Sequence, residues 1–359
     1  MRLVVDATAA EFGGIHTYAR HLLAAWRRTT DDELHVLTPA SGIDHLDPTG
    51  LTLHPVEAGW PRMLRRPVAQ TRMIRKLVRG LSPDAVLALH PATTLLDPGV
   101  PLVVVVHDFR HELRPDQFSL GRRLSRGVAY RRSYRLADGF VAISARTLGD
   151  LHALHPETAS RPEAVAHHGA DHADGWPVDL TAPSVTFAHH SNKNLDLVLD
   201  AWALLPEATP LRVLGVSTER RPALEADLHR RGLPQIELSP YLSTHDYEAA
   251  VASASAIIFP SDFEGFGLPI VEGMRCGVPV VIGPDPGCLE VAGGHAFATH
   301  AWTASALADA TIRALTATPE QRAAAMAYAA GFTWQRSVHQ TRALVSTVLG
   351  RAPGAGSAG

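Results

Sequence analysis

Cysteine and lysine are the scarcest chemistries in this 359-residue chain, with only Cys276 and Cys288 and only Lys76 and Lys193. Two cysteines cannot build the disulfide framework of a secreted protein, and these two lack metal-ligand spacing, so buried free thiols in a reducing cytoplasm are expected. A charge excess is also missing: 33 basic against 36 acidic residues leave −3, which removes the positive field of a nucleic-acid binder. Long apolar runs are absent. Even LVVVV at 102–106 stops at His107 and Asp108, short of the ~18 residues of a membrane span. The opening MRLVVDATAAEFGG has one Arg and too short an apolar run for a signal peptide, and reads as a strand. What is present, 46% hydrophobic and 19% charged residues, is globular composition with a large core. The length exceeds one ordinary domain of roughly 100–200 residues, so two of similar size are expected.

Strands and helices alternate along the chain. Leu3–Asp6, LHVLT (34–38), DAVLAL (84–89), PLVVVVHD (101–108) and FVAIS (140–144) read as strands, and the helix after Gly13-Gly14 begins at Ile15, with Tyr18, Leu22 and Trp26 at helical spacing. The second half repeats the pattern: SVTFAH (184–189), helix 195–205, LRVLGV (211–216), AIIFP (256–260), and VPVVIG (278–283) as the closing strand. Continuous rather than alternating apolar runs belong to parallel sheets covered on both faces, so the fold class is α/β and doubly wound. The Gly-, Pro- and Asp-rich stretch 167–183 holds the boundary. This gives domains at 1–172 and 173–334 and a flexible tail at 351–359.

The segment Phe259–Val281 carries the most chemistry. A strand ends at Pro260, the loop Glu264-Gly265-Phe266-Gly267-Leu268-Pro269 follows, and a helix opens at Ile270-Val271-Glu272. Pro269 suits a first helical turn, and loop amides at a helix N-terminus favour an anion such as phosphate. Glu264 and Glu272, eight positions apart, repel phosphate but accept hydrogen bonds from hydroxyls, which suits a sugar and a ribose flanking a diphosphate.

At EGFGLPIVE the sequence resembles the retaining glycosyltransferases of family 4, the GT-B architecture of two Rossmann-like domains with parallel sheets facing across a cleft. The resemblance extends over most of the chain. It implies that Glu264 meets the donor sugar's hydroxyls, that Gly265, Phe266, Gly267 and Leu268 hold sugar and phosphate, and that Glu272 binds the ribose. Gly13-Gly14 resembles the family's glycine loop beside the donor phosphates, although paired glycines also mark ordinary turns. Ser191-Asn192-Lys193-Asn194 resembles its Arg-Lys-Asn segment, whose Lys neutralises the leaving diphosphate; a solvated helix-start lysine is the alternative. Asn192 stands where an Arg is usual and Ala188-His189-His190 replaces the expected turn, so His189 or His190 substitutes for the missing cation or turnover is weaker. His107, with Asp108 at a strand end, resembles the His that faces the donor sugar. Tyr241 and Leu242 occupy the place where relatives bracket the nucleobase, with a surface turn as the alternative, and Trp334 starts a helix, about 335–350, that crosses back to the first domain and serves as a packing anchor.

His107, Asp108, His111 and Glu112 also read as metal ligands, but their spacing needs a helix while His107 ends a strand; no metal and no cofactor beyond the nucleotide-sugar co-substrate are expected. Residues 62–79 hold Arg62, Arg65, Arg66, Arg72, Arg75, Lys76 and Arg79 and no acid. Ile74, Leu77 and Val78 share the opposite face, the pattern of either a solvated helix or one that docks on anionic lipid. The expected function is a metal-independent, retaining hexosyl transfer from GDP-mannose or a UDP-hexose to a glycan, lipid-linked or small-molecule acceptor in bacterial polysaccharide, glycolipid or natural-product biosynthesis. The expected place is the cytoplasm, peripheral to the inner face of the plasma membrane. A non-catalytic nucleotide-sugar-binding subunit and a GT-B epimerase or phosphorylase are the alternatives.

Overall fold

A computed structural model of the chain describes residues 1–57, 62–207 and 209–351. Beyond Arg351 the expected tail lies outside the described residues. The chain divides into two compact units, one of Met1–Gly169 with the segment from Thr333 onward, the other Ala170–Phe332. The two passages between units thus fall at 169/170 and 332/333, two to three residues before the expected boundaries at 172/173 and 334/335. They lie side by side where Ala170 N–H donates to the Phe332 carbonyl at 2.9 Å.

The first unit contains β1 (Arg2–Asp6), α1 (Gly13–Thr29), β2 (Glu33–Pro39), β3 (Leu51–Val56), α2 (Arg62–Leu81), β4 (Ala85–Ala88), β5 (Leu102–Val106), α3 (Arg110–Leu113), α4 (Leu120–Leu136), β6 (Gly139–Ala142), α5 (Ala145–Leu154) and β7 (Glu163–Val165). All strands pair in parallel, in the order β3-β2-β1-β4-β5-β6-β7. β4, β5 and β6 are buried along their whole length, as continuous apolar runs require. Helix α1 starts at Gly13, two residues before Ile15, because Gly13 takes φ +70° after an extended Phe12. Tyr18, Leu22 and Trp26 then form its buried face. One apolar cluster joins Ile74 and Leu77 of α2 to Tyr130 and Tyr134 of α4, so the two helices cover the same sheet face.

The second unit contains β8 (Ser184–Phe187), α6 (Leu195–Trp202), β9 (Leu211–Leu214), α7 (Arg221–Arg231), β10 (Ile236–Leu238), α8 (Thr244–Ser253), β11 (Ile257–Phe259), α9 (Leu268–Arg275), β12 (Val280–Ile282), α10 (Pro286–Ala292), β13 (Phe297–Ala298), α11 (Ala304–Leu315) and α12 (Pro319–Ala329). Its parallel sheet runs β10-β9-β8-β11-β12-β13. A sixth strand, β13, therefore follows the expected last one. Expected helix 195–205 ends at Trp202, whose indole donates to the Thr209 carbonyl at 3.0 Å. The last helix, α13 (Trp334–Arg351), belongs to the first unit and packs on α1. Asp32 anchors it, accepting from Arg342 Nε at 2.7 Å.

Both sheets reverse strand order between their first and fourth strands, β1/β4 and β8/β11. Such switch points leave a crevice at the carboxyl ends of the strands, where doubly wound folds bind ligands. No described helix is long and apolar enough to cross a membrane.

Candidate active site

In the second unit the two loops at the switch point are Ala188–Asn194, after β8, and Pro260–Gly267, after β11. They are laced together. Asp262 N–H donates to the Asn192 carbonyl at 2.9 Å, and Asn194 Nδ2 donates to the Pro260 carbonyl at 3.0 Å. Asn194 adopts a left-handed φ of +50° ahead of α6, a conformation asparagine tolerates better than most residues.

This lacing brings Lys193 and Glu264 into an ion pair through Glu264 Oε1. Lys193 is 7% exposed, and its ammonium lies 4.2 Å from the centre of the Phe259 ring, a cation–π contact worth more as water is excluded. Asn192 Nδ2 has three acceptors near it, Ser261 Oγ at 2.9 Å, the Phe263 carbonyl at 3.0 Å and Glu264 Oε1 at 2.9 Å. Ser261 also donates to Glu264 Oε1. At position 192 the chain thus has a buried amide that orients Glu264. His189 packs edge-on to Phe187 at 6.1 Å and His190 is exposed. A cation that residue patterns did not single out, Arg220, reaches the end of β8 and donates to the Ala188 carbonyl at 2.8 Å.

Helix α9 begins at Leu268 with Pro269 in its first turn and no side-chain cap on its N-terminus, so its positive dipole end faces the Glu264 loop. Gly267 holds φ +91° and a Cβ there would lie 2.9 Å from Ile270 Cδ1, which restricts this position to glycine. Glu272, also on α9, is 2% exposed. Tyr247 donates to its Oε2 at 2.8 Å, and His172 Nε2 stands 3.1 Å from its Oε1. Glu264 and Glu272 therefore sit in separate hydrogen-bond clusters. Neither Tyr247 nor His172 carries a local signal; the former is one tyrosine on α8 and the latter one of 20 histidines. Tyr241 is 65% exposed and Leu242 half-buried, between β10 and α8.

In the first unit, His107 follows β5. Its Nε2 lies 2.8 Å from the Leu89 carbonyl, which can only accept, so Nε2 carries the proton. Burial lowers its pKa, against opposing effects of that bond and of Asp108, and the ring is neutral at pH 7. Tyr18 packs edge-on to it at 5.0 Å. His90, after β4, accepts from Ala92 N–H at Nδ1, 3.0 Å, and faces Tyr130 Oη at 2.9 Å through Nε2. Asp6, ending β1, accepts from Thr8, Gln70 and Thr93 and ties this edge together. Gly13 needs its positive φ, whereas neither Gly13 nor Gly14 would bring a Cβ within 4 Å of another group. Trp334 is 1% exposed, stacked 5.8 Å from His168 and 5.6 Å from His21, a packing residue.

His111, buried and lowered in pKa by that burial, turns to Tyr130 at 4.7 Å. Among the described residues no group of three His, Cys, Asp or Glu side chains has metal-binding geometry. Cys276 and Cys288 are both buried and free. Burial first, then Glu272 and Asp174, push the Cys276 thiol up to about 12, so it stays protonated and inert.

Residues 12–174 match the family described as Glycosyltransferase Family 4, and residues 184–317 match Glycosyl transferases group 1. The O-antigen chain mannosyltransferase B of Escherichia coli is 37% identical over 107 residues, 28% of either chain. The alpha-maltose-1-phosphate synthase of Mycolicibacterium smegmatis is 26% identical over 314 residues, 78% of either chain. The chain thus spans little over a quarter of the first relative and more than three quarters of the second. Anabaena HepE, solved in complex with UDP-glucose, is similar in structure with a TM-score of 0.75 at 18% identity, over 97% of this chain and 99% of that one. That likeness shows the GT-B fold. With each half matched by its own domain description and each sheet wound in nucleotide-binding order, the chain belongs to the family 4, group 1 glycosyltransferases.

Proposed function

We propose that the protein catalyses metal-independent, retaining transfer of a hexosyl unit from GDP-mannose or a UDP-hexose to an acceptor hydroxyl. The acceptor belongs to a bacterial glycan, a glycolipid or a natural product, and the reaction takes place in the cytoplasm. The observation that carries this reading is the Lys193–Glu264 pair at the switch point of the second sheet. An incoming diphosphate offers the ammonium a stronger anionic partner, and Glu264 is released to accept hydrogen bonds from sugar hydroxyls. The N-terminus of α9 adds a second source of positive potential for the departing diphosphate. Glu272, oriented by Tyr247, accepts from the ribose. His107, neutral at pH 7, is fixed by the Leu89 carbonyl at the carboxyl end of the first sheet.

In the reaction the bond from the anomeric carbon to the diphosphate oxygen breaks, and the acceptor oxygen bonds to that carbon on the same face. The acceptor's proton passes to the leaving phosphate oxygen. No protein nucleophile takes part. The mannosyl and UDP-hexose options follow the names of the relatives, and a lipid-linked acceptor fits the basic face of residues 62–79 by charge.

Thermal stabilisation by a panel of nucleoside diphosphates and their sugars, without metal and then with magnesium, tests the reading. A metal-free rise in melting temperature with one nucleotide is the expected result. No shift with any nucleotide overturns it, and binding without release of a nucleoside diphosphate in the presence of acceptors marks a binding subunit instead.

A further inference from the structure

Helix α4 exposes Leu120, Leu124 and Val128 to 71%, 69% and 70%. Each step of four residues turns about 40° around a helix, so the three side chains form one stripe. Continued along the same face, the stripe becomes Arg131 and Arg135, both exposed. Between Gln117 and Ala137 the sequence holds six arginines and no acid. The inner face is occupied by Tyr130, Ser133 and Tyr134, all buried, so burying the outer stripe against its own unit is not an option for this helix.

The stripe continues onto α2. Leu95 N–H donates to Thr71 Oγ1 of α2 at 2.9 Å, while its carbonyl accepts from Arg132 Nε of α4 at 2.9 Å. Beside this bridge Leu96 and Val68 are 45% and 40% exposed. Arg72, Arg75, Lys76 and Arg79 of α2 are exposed on the same sheet face.

We propose that this face, the outer stripe of α4 with the cationic side of α2, seats the protein on an anionic lipid bilayer. Large apolar side chains on a helix whose only charges are cationic match the boundary between acyl chains and anionic headgroups, where apolar burial and electrostatic attraction add. Exposed Asp97 and Asp116 lie at the edge of the patch, outside that helix. A protein partner of complementary shape would supply acids against the arginines but has no need of their breadth over two helices. The inference deepens the acceptor side of the proposed transfer and rests on that reading for the acceptor being carried in the same membrane.

The test is flotation of the full chain with phosphatidylglycerol-containing vesicles and with pure phosphatidylcholine vesicles, in low salt and in about 0.5 M NaCl. Expected are binding to the anionic vesicles, weakening in high salt, and at least ~10-fold lower partition for the combined variant Leu120→Ser, Leu124→Ser, Val128→Ser. These side chains are exposed, so the variant keeps its melting temperature and its nucleotide-induced shift. Failure of the parent chain to float with anionic vesicles, or equal flotation of the variant, overturns the proposal. So does a dimer in light scattering that the variant converts to a monomer, which assigns the face to a second copy. A nucleotide-induced shift that persists while flotation fails overturns the docking alone; flotation without any such shift overturns the transferase reading alone.

Discussion

The ammonium of Lys193 stands 4.2 Å from the centre of the Phe259 ring, the last residue of β11, while its charge is balanced by Glu264 from the loop that follows. The strand that carries the site's apolar floor and the loop that carries its carboxylate are thus continuous in sequence. The lysine arrives from 71 positions away.

Because the two charges share one polar cluster, their loss is not additive. Lys193→Ala and Glu264→Ala each lower turnover by ~10²-fold or more, and the double variant falls short of the product of the two effects. Steady-state rates of the three variants check this; near-normal rates in both single variants would sink the assignment.

Tyr247→Phe removes the hydroxyl that fixes Glu272 Oε2 and leaves the ring in place. A hydrogen bond to a charged group contributes about 1.5–3 kcal/mol, so nucleoside diphosphate binds at least ~10-fold more weakly. The KM for donor rises while kcat holds. Calorimetric titration with an unchanged dissociation constant would remove Tyr247 from the site.

Gly287, in α10, lies against the Glu264 loop. An alanine Cβ there would approach the Glu264 carbonyl oxygen to 2.3 Å, so the backbone that presents the carboxylate must shift. Gly287→Ala lowers turnover by ~10-fold or more, since small displacements of positioned groups are costly. Gly149→Ala on α5, where a Cβ meets nothing within 4 Å, leaves activity unchanged and serves as the comparison.

Stability falls as pH drops below about 6.5, the ordinary value for histidine. Burial lowers the pKa of His90, His107 and His111 in the folded chain. The unfolded chain therefore takes up protons first, and these rings contribute stability that is present above the ordinary value and lost below it. Each contributes a slope of up to about 1.4 kcal/mol per pH unit. Urea midpoints between pH 8 and pH 5.5 measure it, and His90→Gln reduces it; a flat profile contradicts the buried neutral rings.

Asp32 works in a lower window. It accepts from the N-terminal ammonium at 2.7 Å, from Trp26 Nε1 at 2.9 Å and from Arg342. Burial raises its pKa, but Arg342, the N-terminus and Trp26 together outweigh this and hold it well below the usual carboxylate range. Asp32→Ala leaves the Trp26 donor without its acceptor and costs about 1–3 kcal/mol. The loss is constant from pH 8 to about pH 5 and shrinks only in acid below about pH 4. Denaturation of parent and variant across that range checks both size and window.

The central strands were legible because burial on both faces leaves no room for polar alternation. LVVVV at 102–106 is β5 in full. Edge strands were not: LTLHPV of β3 is half exposed, and β13 is only Phe297–Ala298, so neither has an apolar run to reveal it. The start of α1 was missed by two residues because only the left-handed φ of Gly13 decides where the helix begins. Glu264, Glu272 and Lys193 stood out through local spacing and rarity. The role of Asn192 did not, since its acceptors Ser261, Phe263 and Glu264 come from the neighbouring strand's loop.

The sequence by itself determined two parallel α/β halves, the uncapped glycine loop ahead of α9 and its flanking carboxylates, because periodicity, turn chemistry and helix-end electrostatics act over a few residues. Only the tertiary structure decided the partners: Lys193 with Glu264, Tyr247 and His172 with Glu272, and the shared outer face of α2 and α4. His172 and Glu272 are 100 positions apart. Strand order and register bring such residues within hydrogen-bond distance, and both are set by packing of the whole sheet rather than by any local preference of the chain.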